Sequence, residues 1–215
     1  MMSTQKEETR LRLLDAARSL LMKGGFHGVG LEDIAEAAGV SRQAVYKSHF
    51  ASKTELLLAL VEHVHVVEKL DELVAPVLAA QSGREMLHEG IRCIILIEVR
   101  VHDMALVLST AALSDAAAAA AWRTRLDVKR NAMRLGLERL QADGHFNSAW
   151  KLEEAVDLLA VWISVDAYHQ LVVDAGWSPE LMISRIWGLC EATFVVEPSA
   201  SSAKGRRKRP HRPHA

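Results

Sequence analysis

The stretch LEDIAEAAGVSRQAVYKSHF, residues 31–50, decides the fold of this chain. Its first half has apolar residues at helical spacing, which predicts a short amphipathic helix. These residues are Leu31, Ile34, Ala35 and Ala38. Gly39 stands where a chain leaving a helix often needs positive φ, and Ser41 can cap a second helix. Because Val45 would return one apolar side chain to the pair, the stretch predicts two short helices joined by a tight turn.

The second helix of this stretch presents side chains that suit a nucleic acid. They are Arg42, Gln43, Ala44, Tyr46 and Lys47. Arginine can form two hydrogen bonds with guanine, glutamine can do the same with adenine, and an alanine methyl group can contact the methyl group of thymine. Tyrosine and lysine can bind phosphates. These residues predict a DNA-reading helix-turn-helix, with a merely solvated helix face as the alternative.

The composition predicts an all-helical protein. Half of the 215 residues are hydrophobic and only 5% are aromatic, and no region shows the sustained alternation of a strand. We therefore expect an all-α chain in which a three-helix helix-turn-helix head is joined by a long helix to a larger helical body. The expected helices outside the motif cover residues 9–23, 53–78, 84–101, 102–112, 115–144, 152–175 and 179–196.

Two of these helices have clear end signals. Gly24 and Gly25 are expected to end the first helix, and Ser52 is expected to cap the long helix that begins at residue 53. The predicted buried side of that long helix consists of Leu56, Leu57, Leu60, Val64 and Val67. A helix of this length can tie a small head to a larger body.

Charge is distributed unevenly along the chain. The net charge is −1, but residues 204–215 contain six cations and no acid, so the rest of the chain sums to −7. Residues 39–53 carry three cations and no carboxylate, which makes a small basic face on an acidic protein. We expect the basic tail to be disordered, and it could either attract phosphates non-specifically or serve solubility.

The last two predicted helices are apolar on more than one side. The first carries Val156, Leu158, Leu159, Val161, Trp162, Ile163, Val165 and Val173, and the second carries Leu181, Ile183, Ile186, Trp187, Leu189, Cys190 and Phe194. A surface helix needs only one apolar stripe, so the second stripe predicts a partner, with domain core as the alternative. The simplest partner is a second copy of the chain, paired as four helices across a two-fold axis.

A set of residues near the N-terminus resembles one known family. The residues are Asp33-Ile34-Ala35, Ala38-Gly39-Val40-Ser41-Arg42, Tyr46, His49-Phe50, Ser52-Lys53 and Glu55-Leu56-Leu57. With them, the first 65 residues or so resemble the tetracycline-repressor (TetR) family of bacterial transcription regulators. The remaining chain is similar to that family only in its length, its helical character and its two-faced final helices.

The resemblance implies roles for individual residues of the helix-turn-helix. Arg42, Gln43 and Ala44 would contact base edges, and Tyr46, His49 and Lys53 would contact phosphates, with Ser41 and Lys47 beside them. A dimer would place two such reading helices about 34 Å apart, in successive major grooves, so the expected partner is double-stranded DNA with a near-palindromic operator.

The resemblance also implies that three segments of the chain have different functions. Residues 5–52 would form the DNA-binding domain, residues 53–197 a ligand-binding and dimerisation domain, and residues 198–215 the basic tail. The expected function is a transcriptional repressor that an apolar small molecule releases from its operator. The alternative is a DNA-binding or interaction protein that acts constitutively, without an effector.

The chain departs from the family pattern at three places. The segment from Tyr46 to Phe50 has one residue more than the usual Tyr-x-His-Phe, which predicts a lengthened helix end or a bulged turn. Val29-Gly30 replaces the hydroxyl residue that often caps the first helix of the motif. Glu32 places a carboxylate near the expected path of the DNA backbone, where it would repel phosphate modestly.

An apolar effector would need a cavity in the body. Candidate lining residues are Met104, Leu108, Trp122, Met133, Trp162 and Tyr168, and His102 or His169 could orient a polar group. Packed core is the alternative interpretation of each of these residues.

Several other classes of protein are not expected. The chain shows no G-x-S-x-G motif, metal-ligand cluster or nucleotide loop, so we expect no enzyme, no metal and no cofactor. His63 and His65 would point to different sides of a helix, and Cys93 and Cys190 are expected to be reduced core thiols. Since no signal peptide or membrane-spanning stretch is evident, we expect a cytoplasmic protein without a membrane partner.

Overall fold

The computed structural model describes residues 2–197, and side chains are described for residues 5–46 and 49–197. The predicted basic tail therefore lies outside the described residues. The helices are α1 (Met2–Gly28), α2 (Leu31–Ala37), α3 (Arg42–Ser48), α4 (Lys53–Val67), α5 (Leu70–Ala79), α6 (Gly83–Ala111), α7 (Ala116–Ala142), α8 (Leu152–Trp162), α9 (Val165–Tyr168) and α10 (Pro179–Phe194), with a π-helical segment at His169–Asp174 between α9 and α10. Gly25 has non-helical angles, φ 67° and ψ 176°, so α1 is kinked where the sequence predicts its end. The expected all-α architecture, with a helix-turn-helix head and a larger body, is confirmed.

Buried residues form two clusters, and the first unites the head with one end of the body. It joins α1, α2, α3 and α4 to the C-terminal half of α6 and the start of α7. Leu13 of α1, Val45 of α3 and Leu57 of α4 are fully buried in it. Burying such side chains contributes about 1.5–3 kcal/mol each, so the head is held by the same apolar contacts that hold α4 to α6.

The second cluster forms the rest of the body. It is built from the first half of α6, the second half of α7, and the segments from α8 to α10. Gly83 starts α6 beside the end of α7, so the two helices run antiparallel, and a Cβ atom built on Gly83 would lie 2.1 Å from the backbone nitrogen of Leu140. Only glycine allows this close approach.

The predicted long helix from residue 53 to 78 is interrupted, so that prediction is wrong. Ser52 does cap α4, since its hydroxyl accepts a hydrogen bond from the backbone N–H of Glu55 at 3.0 Å. However, α4 ends at Val67, which is 51% exposed and not part of the buried side. Lys69 then adopts a left-handed conformation, with φ 50° and ψ 47°, before α5 begins.

Tertiary contacts stabilise the interruption between α4 and α5. Arg18 of α1 pairs with the Glu68 side chain at 2.6 Å. Arg100 of α6 donates hydrogen bonds to the backbone carbonyls of Glu68 and Lys69. The left-handed conformation is disfavoured by roughly 1–2 kcal/mol for a residue other than glycine, such as Lys69. These contacts offset that conformational cost.

The body helices also differ from the predicted boundaries. The two helices predicted over 84–101 and 102–112 are one continuous helix, α6, because His102 lies buried within it and packs against the body. The helix predicted over 152–175 is instead broken after Trp162. There Ser164 leaves helical geometry and its hydroxyl caps α9, accepting from the backbone N–H of Ala167 at 3.1 Å.

The segment from α8 through the π-helical segment also bears on the expected absence of a membrane span. By length and composition alone, Leu152–Asp174 could cross a membrane, with a mean hydropathy of 1.3. This corrects the sequence expectation that no stretch is apolar enough. The same test is passed by core helices of soluble proteins, and one apolar face of this segment packs in the second cluster.

Candidate nucleic-acid interface and body cavities

The turn between α2 and α3 is built as the sequence predicts. Gly39 has φ 66°, and the backbone N–H of Val40 closes the end of α2 by donating to Ala35 at 2.9 Å. Ser41 caps α3, since its hydroxyl accepts from the backbone N–H of Ala44 at 3.2 Å. Val45 is fully buried and fixes α3 against the head. These contacts set which face of α3 meets solvent.

The exposed face of α3 carries the residues predicted to contact DNA. Arg42 and Gln43 are exposed, and Ala44 is half-buried. Tyr46 is 44% exposed, and the Arg42 guanidinium lies 5.8 Å from its ring centroid. The structure therefore brings a cation and a phenol together on one accessible face. Lys47, the fifth predicted residue, has its side chain outside the described residues.

Arg42 forms an ion pair within the motif. Its guanidinium lies 2.6 Å from the carboxylate of Glu32 on α2, and the two side chains are 64% and 59% exposed. An exposed pair of this kind contributes only about 0–1 kcal/mol, so DNA can compete for the arginine. The carboxylate predicted to lie near the DNA backbone therefore also neutralises Arg42, which is predicted to contact base edges.

The segment that carries the added residue after Tyr46 contains the end of α3, at Ser48. The backbone N–H groups of His49 and Phe50 both donate to the carbonyl of Val45, each at 3.0 Å. A bond spanning five residues also ends α2, where Val40 donates to Ala35, so it is an ordinary way for a helix to end. Both predicted forms of this segment, a lengthened helix end and a bulged turn, stay predictions.

His49 does not lie on the exposed face of α3. Its ring is half-buried, and within the described residues its Nδ1 atom has no hydrogen-bond partner. Burial lowers its pKa, and the positive charges of Lys6 and Arg10 lower it further. The imidazole therefore lies beside the start of α1, in surroundings that disfavour its charged form, and its predicted contact with phosphate stays a prediction.

Lys53 is also turned away from the exposed face of α3. Its ammonium donates to the backbone carbonyls of Phe26 and Val29, at 2.6 and 2.8 Å, and lies 4.2 Å from the centroid of the Phe26 ring. Burial lowers its pKa. In this arrangement the lysine braces the connector between α1 and α2, and its predicted role on phosphate stays a prediction.

Sequence reasoning missed one group of cations near α3. Arg10 stacks over the ring of Phe50 at 5.0 Å, and both Lys6 and Arg10 act electrostatically on His49. The start of α1 therefore adds positive charge beside the end of α3. The charged run at residues 5–12 was the available signal, but which way it faces depends on how α1 packs.

Two adjoining cavities lie in the body, and both are lined by His65, Leu70 and Arg125. The smaller cavity, of about 370 Å³, lies between α4 and α6 and includes Met104 and Leu108. The larger cavity, of about 450 Å³, lies between α5, α6 and α7. It is bounded by Val74, Ile94, Ile97 and Met133, among others, with Arg125 and Lys129.

The predicted ligand residues are divided between cavity walls and packed core. Met104, Leu108 and Met133 line the two cavities. Trp122 packs against the first buried cluster, and Trp162 packs in the second, 5.7 Å from the ring of Phe194.

The remaining three predicted ligand residues contact one another away from the linings of these two cavities. The His102 Nε2 and His169 Nδ1 atoms are 3.0 Å apart, and the rings of His102 and Tyr168 are 4.8 Å apart. His102 and Tyr168 are buried, whereas His169 is half-buried. These contacts agree with packed core, the alternative interpretation.

A buried ionic cluster adjoins the cavities. Glu98 is 1% exposed, and its Oε1 atom lies 3.0 Å from the Lys129 ammonium and 3.5 Å from the Arg125 guanidinium. Burial alone would raise its pKa, but contact with His102 and the charges of Lys129 and Arg125 lower it to about 2. The carboxylate is therefore ionised in the folded protein at neutral pH.

The two thiols are buried, in surroundings that disfavour the thiolate form. Cys93 and Cys190 are free, and burial raises the pKa of each, to about 12 for Cys190. Across residues 2–197, no group of three or more His, Cys, Asp or Glu side chains could hold a metal ion.

Comparison with known proteins gives matches to the head and to the fold. The family model of bacterial regulatory proteins, tetR family, matches residues 13–60. The HTH-type transcriptional activator FasR of Mycolicibacterium smegmatis is 42% identical over 57 residues, or 26% of each chain. The HTH-type transcriptional regulator TtgR of Pseudomonas putida is 43% identical over 61 residues, or 28% of this chain and 29% of that protein.

Solved structures match most of the chain at low identity. A transcriptional regulator from Saccharomonospora viridis, solved in complex with choline, has a TM-score of 0.73 at 22% identity and covers 89% of this chain and 100% of that one. The ketosteroid regulator KstR2 of Mycobacterium tuberculosis has a TM-score of 0.61 at 18% identity, covering 87% and 95%.

These matches apply to different parts of the chain. The alignments with FasR and TtgR span little more than a quarter of the length of either relative, and the family model covers only the head. The structural matches, all under 25% identical, extend the shared fold to the body. The resemblance of the head to the TetR family of bacterial regulatory proteins is therefore confirmed over residues 13–60.

Proposed function

We propose that this protein is a cytoplasmic, homodimeric transcriptional repressor, released from its DNA operator by a small apolar molecule. Residues 5–52 serve as the DNA-binding domain and residues 53–197 as the ligand-binding and dimerisation domain. The observation that carries the proposal is the exposed face of α3. There Arg42, Gln43 and Tyr46 stand on a helix that a buried valine and a serine cap hold in place.

The chemistry of this face supports recognition of bases as well as phosphates. Arg42 can form two hydrogen bonds with guanine and Gln43 with adenine, and each good pair discriminates by about 1–3 kcal/mol. Tyr46, beside the arginine, can donate to a phosphate and fix the register of the helix on the duplex. Glu32 exchanges its partner when DNA binds, because its exposed ion pair with Arg42 is weak.

Dimerisation is supported by apolar side chains left exposed on the last helices. Val161 is 64% exposed, Val173 is 54% exposed and Leu189 is 50% exposed. A second copy of the chain would cover this surface and place two α3 helices on one side of the dimer, as a near-palindromic operator requires.

Effector action is supported by the position of the cavities. Both adjoin the interruption between α4 and α5, since His65 and Leu70 line them from either side of it. The same interruption is tied to the head through Arg18 and Glu68. A ligand that prefers the arrangement with mismatched heads would release the operator, whereas equal affinity for both arrangements would change nothing.

Selection of binding sites from a random pool of 30-base-pair duplexes tests DNA recognition. The expected result is a near-palindromic sequence that binds the protein specifically at 150 mM salt. Arg42→Ala should weaken binding by about 1–3 kcal/mol per half-site, because it removes one base contact. Arg123→Ala, on an exposed face of α7, is the matched control and should leave binding unchanged. Absence of an enriched sequence, even at low salt, would end the proposal.

Sedimentation tests the dimer. Val161→Asp should convert the dimer to a monomer, because it buries an unpaired charge in the interface. Leu113→Asp is the control, since Leu113 is 86% exposed and lies in the turn between α6 and α7, outside α8 and α10. A Val161→Asp protein that sediments as the wild type does would exclude this face as the interface.

A further inference from the structure

The larger cavity has walls suited to an aliphatic chain. Its apolar lining consists of side chains such as Val74, Ile94, Ile97 and Met133, and no Phe, Tyr or Trp is among its lining residues in the described part of the chain. A volume of about 450 Å³ lies within the range of small-molecule sites. Since such walls offer no Phe, Tyr or Trp ring for stacking, they favour a flexible hydrocarbon over a planar aromatic ligand.

One side of this cavity is cationic. Arg125 and Lys129, one turn apart on α7, both line it. The Lys129 side chain is 10% exposed, and its ammonium already donates to Glu98 and to the backbone carbonyl of Ile163, at 3.0 and 3.3 Å. Arg125 is less well paired, because its contact with Glu98 is 3.5 Å long and its buried Nε atom has no partner among the described residues.

The buried charges on one side of the cavity do not cancel. Two cations face one carboxylate, so the cluster of Glu98, Arg125 and Lys129 by itself carries a net charge of +1. His102 lies 3.7 Å from the other oxygen of Glu98 and adds no negative charge. His65, which also lines the cavity, is paired separately with Asp71 at 2.9 Å. A buried donor without a partner is costly, so an anion that reached Arg125 would gain a strong hydrogen bond.

We propose that the effector is an amphiphile with one aliphatic chain and one carboxylate, and that its carboxylate binds Arg125 while its chain fills the larger cavity. This inference rests on the proposed function, since it assigns the effector of the same regulator. A neutral apolar ligand would leave the excess charge and the free donor of Arg125 as they are. A cationic ligand would meet two positive charges.

Calorimetric titration without DNA tests the proposal directly. The probes are hexanoate, octanoate and decanoate, each below its micellar concentration, with 1-octanol and octylamine as matched compounds. Octanoate should bind about 10- to 100-fold more tightly than 1-octanol, because only the acid makes a charged hydrogen bond. Within the acids, affinity should rise about fourfold per added methylene until the cavity is full.

Variants locate the binding site. Arg125→Gln should abolish the preference for octanoate over 1-octanol and leave the affinity for the alcohol within about twofold. Arg123→Gln, two residues away and exposed, should retain the preference. Val74→Trp, which fills the larger cavity, should shift the best chain toward hexanoate. Circular dichroism of each variant distinguishes a changed site from a misfolded chain.

Three results would overturn the proposal. They are equal binding of octanoate and 1-octanol, tighter binding of octylamine, and an acid preference that survives Arg125→Gln. The proposed function fails separately, through the absence of an enriched operator, because the titrations contain no DNA. If the proposed effector and the proposed function are both correct, octanoate should release the wild-type protein from its operator. The Arg125→Gln protein should stay bound at the same concentration.

Discussion

Replacing Glu98 by glutamine should lower the free energy of unfolding by roughly 3 kcal/mol at pH 7. The pKa of this carboxyl falls from the ordinary 4.5 to about 2 in the folded protein. Each pKa unit corresponds to about 1.4 kcal/mol of preference for the ionised form, which gives the expected loss. Glutamine has nearly the same shape, but it leaves Lys129 and Arg125 buried without a counter-charge.

The pH dependence of this loss follows from the sign of the shift. Because the folded pKa lies below the unfolded value, the stabilisation is complete above about pH 5 and disappears as the pH falls toward 2. Acidification should therefore reduce the difference in free energy of unfolding between the wild-type protein and Glu98→Gln. About 1 kcal/mol of the difference should remain at pH 3.

Urea unfolding followed by far-UV circular dichroism, at pH 7 and pH 3, measures both quantities. Glu153→Gln is the control, because Glu153 pairs with Arg134 at the surface and is 60% exposed. Its loss should stay below about 1 kcal/mol. If Glu98→Gln is as stable as the wild type at pH 7, or if the difference is the same at both pH values, the ionised buried carboxylate is not what stabilises α6 against α7.

Three further outcomes are expected. Glu32→Gln should raise affinity for the selected operator by up to about fivefold in a fluorescence anisotropy titration, because it frees Arg42. Gly83→Ala should lower the free energy of unfolding in urea by at least about 1–3 kcal/mol, because the new methyl group would overlap the backbone at Leu140. Lys53→Met should lower the melting temperature in scanning calorimetry, because two backbone carbonyls lose their donor, whereas Lys151→Met, at an exposed position, should not.

Local sequence signals predicted the helix-turn-helix correctly. Gly39 adopts positive φ, while Ser41 and Ser52 cap the helices that follow them. Each of these features depends on residues within three or four positions, so a pattern of neighbours suffices to predict it.

Features that depend on distant contacts were not predictable from the sequence. The interruption after Val67 contains no Gly or Pro and is held by Arg18 and Arg100, which lie 50 and 32 residues from Glu68. Conversely, the boundary predicted at His102 does not exist, because tertiary packing buries that histidine within one helix.

In the candidate sites, too, features set by neighbouring residues were predictable and features set by distant contacts were not. The exposed face of α3 followed from helical periodicity, whereas the inward orientation of Lys53 and His49 depends on where α1 packs. In the body, aromatic and histidine residues were predicted to bind the ligand, yet most of the wall of the larger cavity is aliphatic. Glu98, Arg125 and Lys129 are separated by up to 31 residues in sequence, so only the antiparallel packing of α6 and α7 reveals their cluster.

The bracing contact of Lys53 sets how binding to DNA should respond to salt. A lysine that binds phosphate releases condensed counterions, and each such contact makes the plot of log affinity against log salt steeper by about 0.9. An ammonium that stays on the carbonyls of Phe26 and Val29 releases none. Across the two protomers of a dimer, the slope should then be shallower by about 1.8 than if both lysines turned to the DNA.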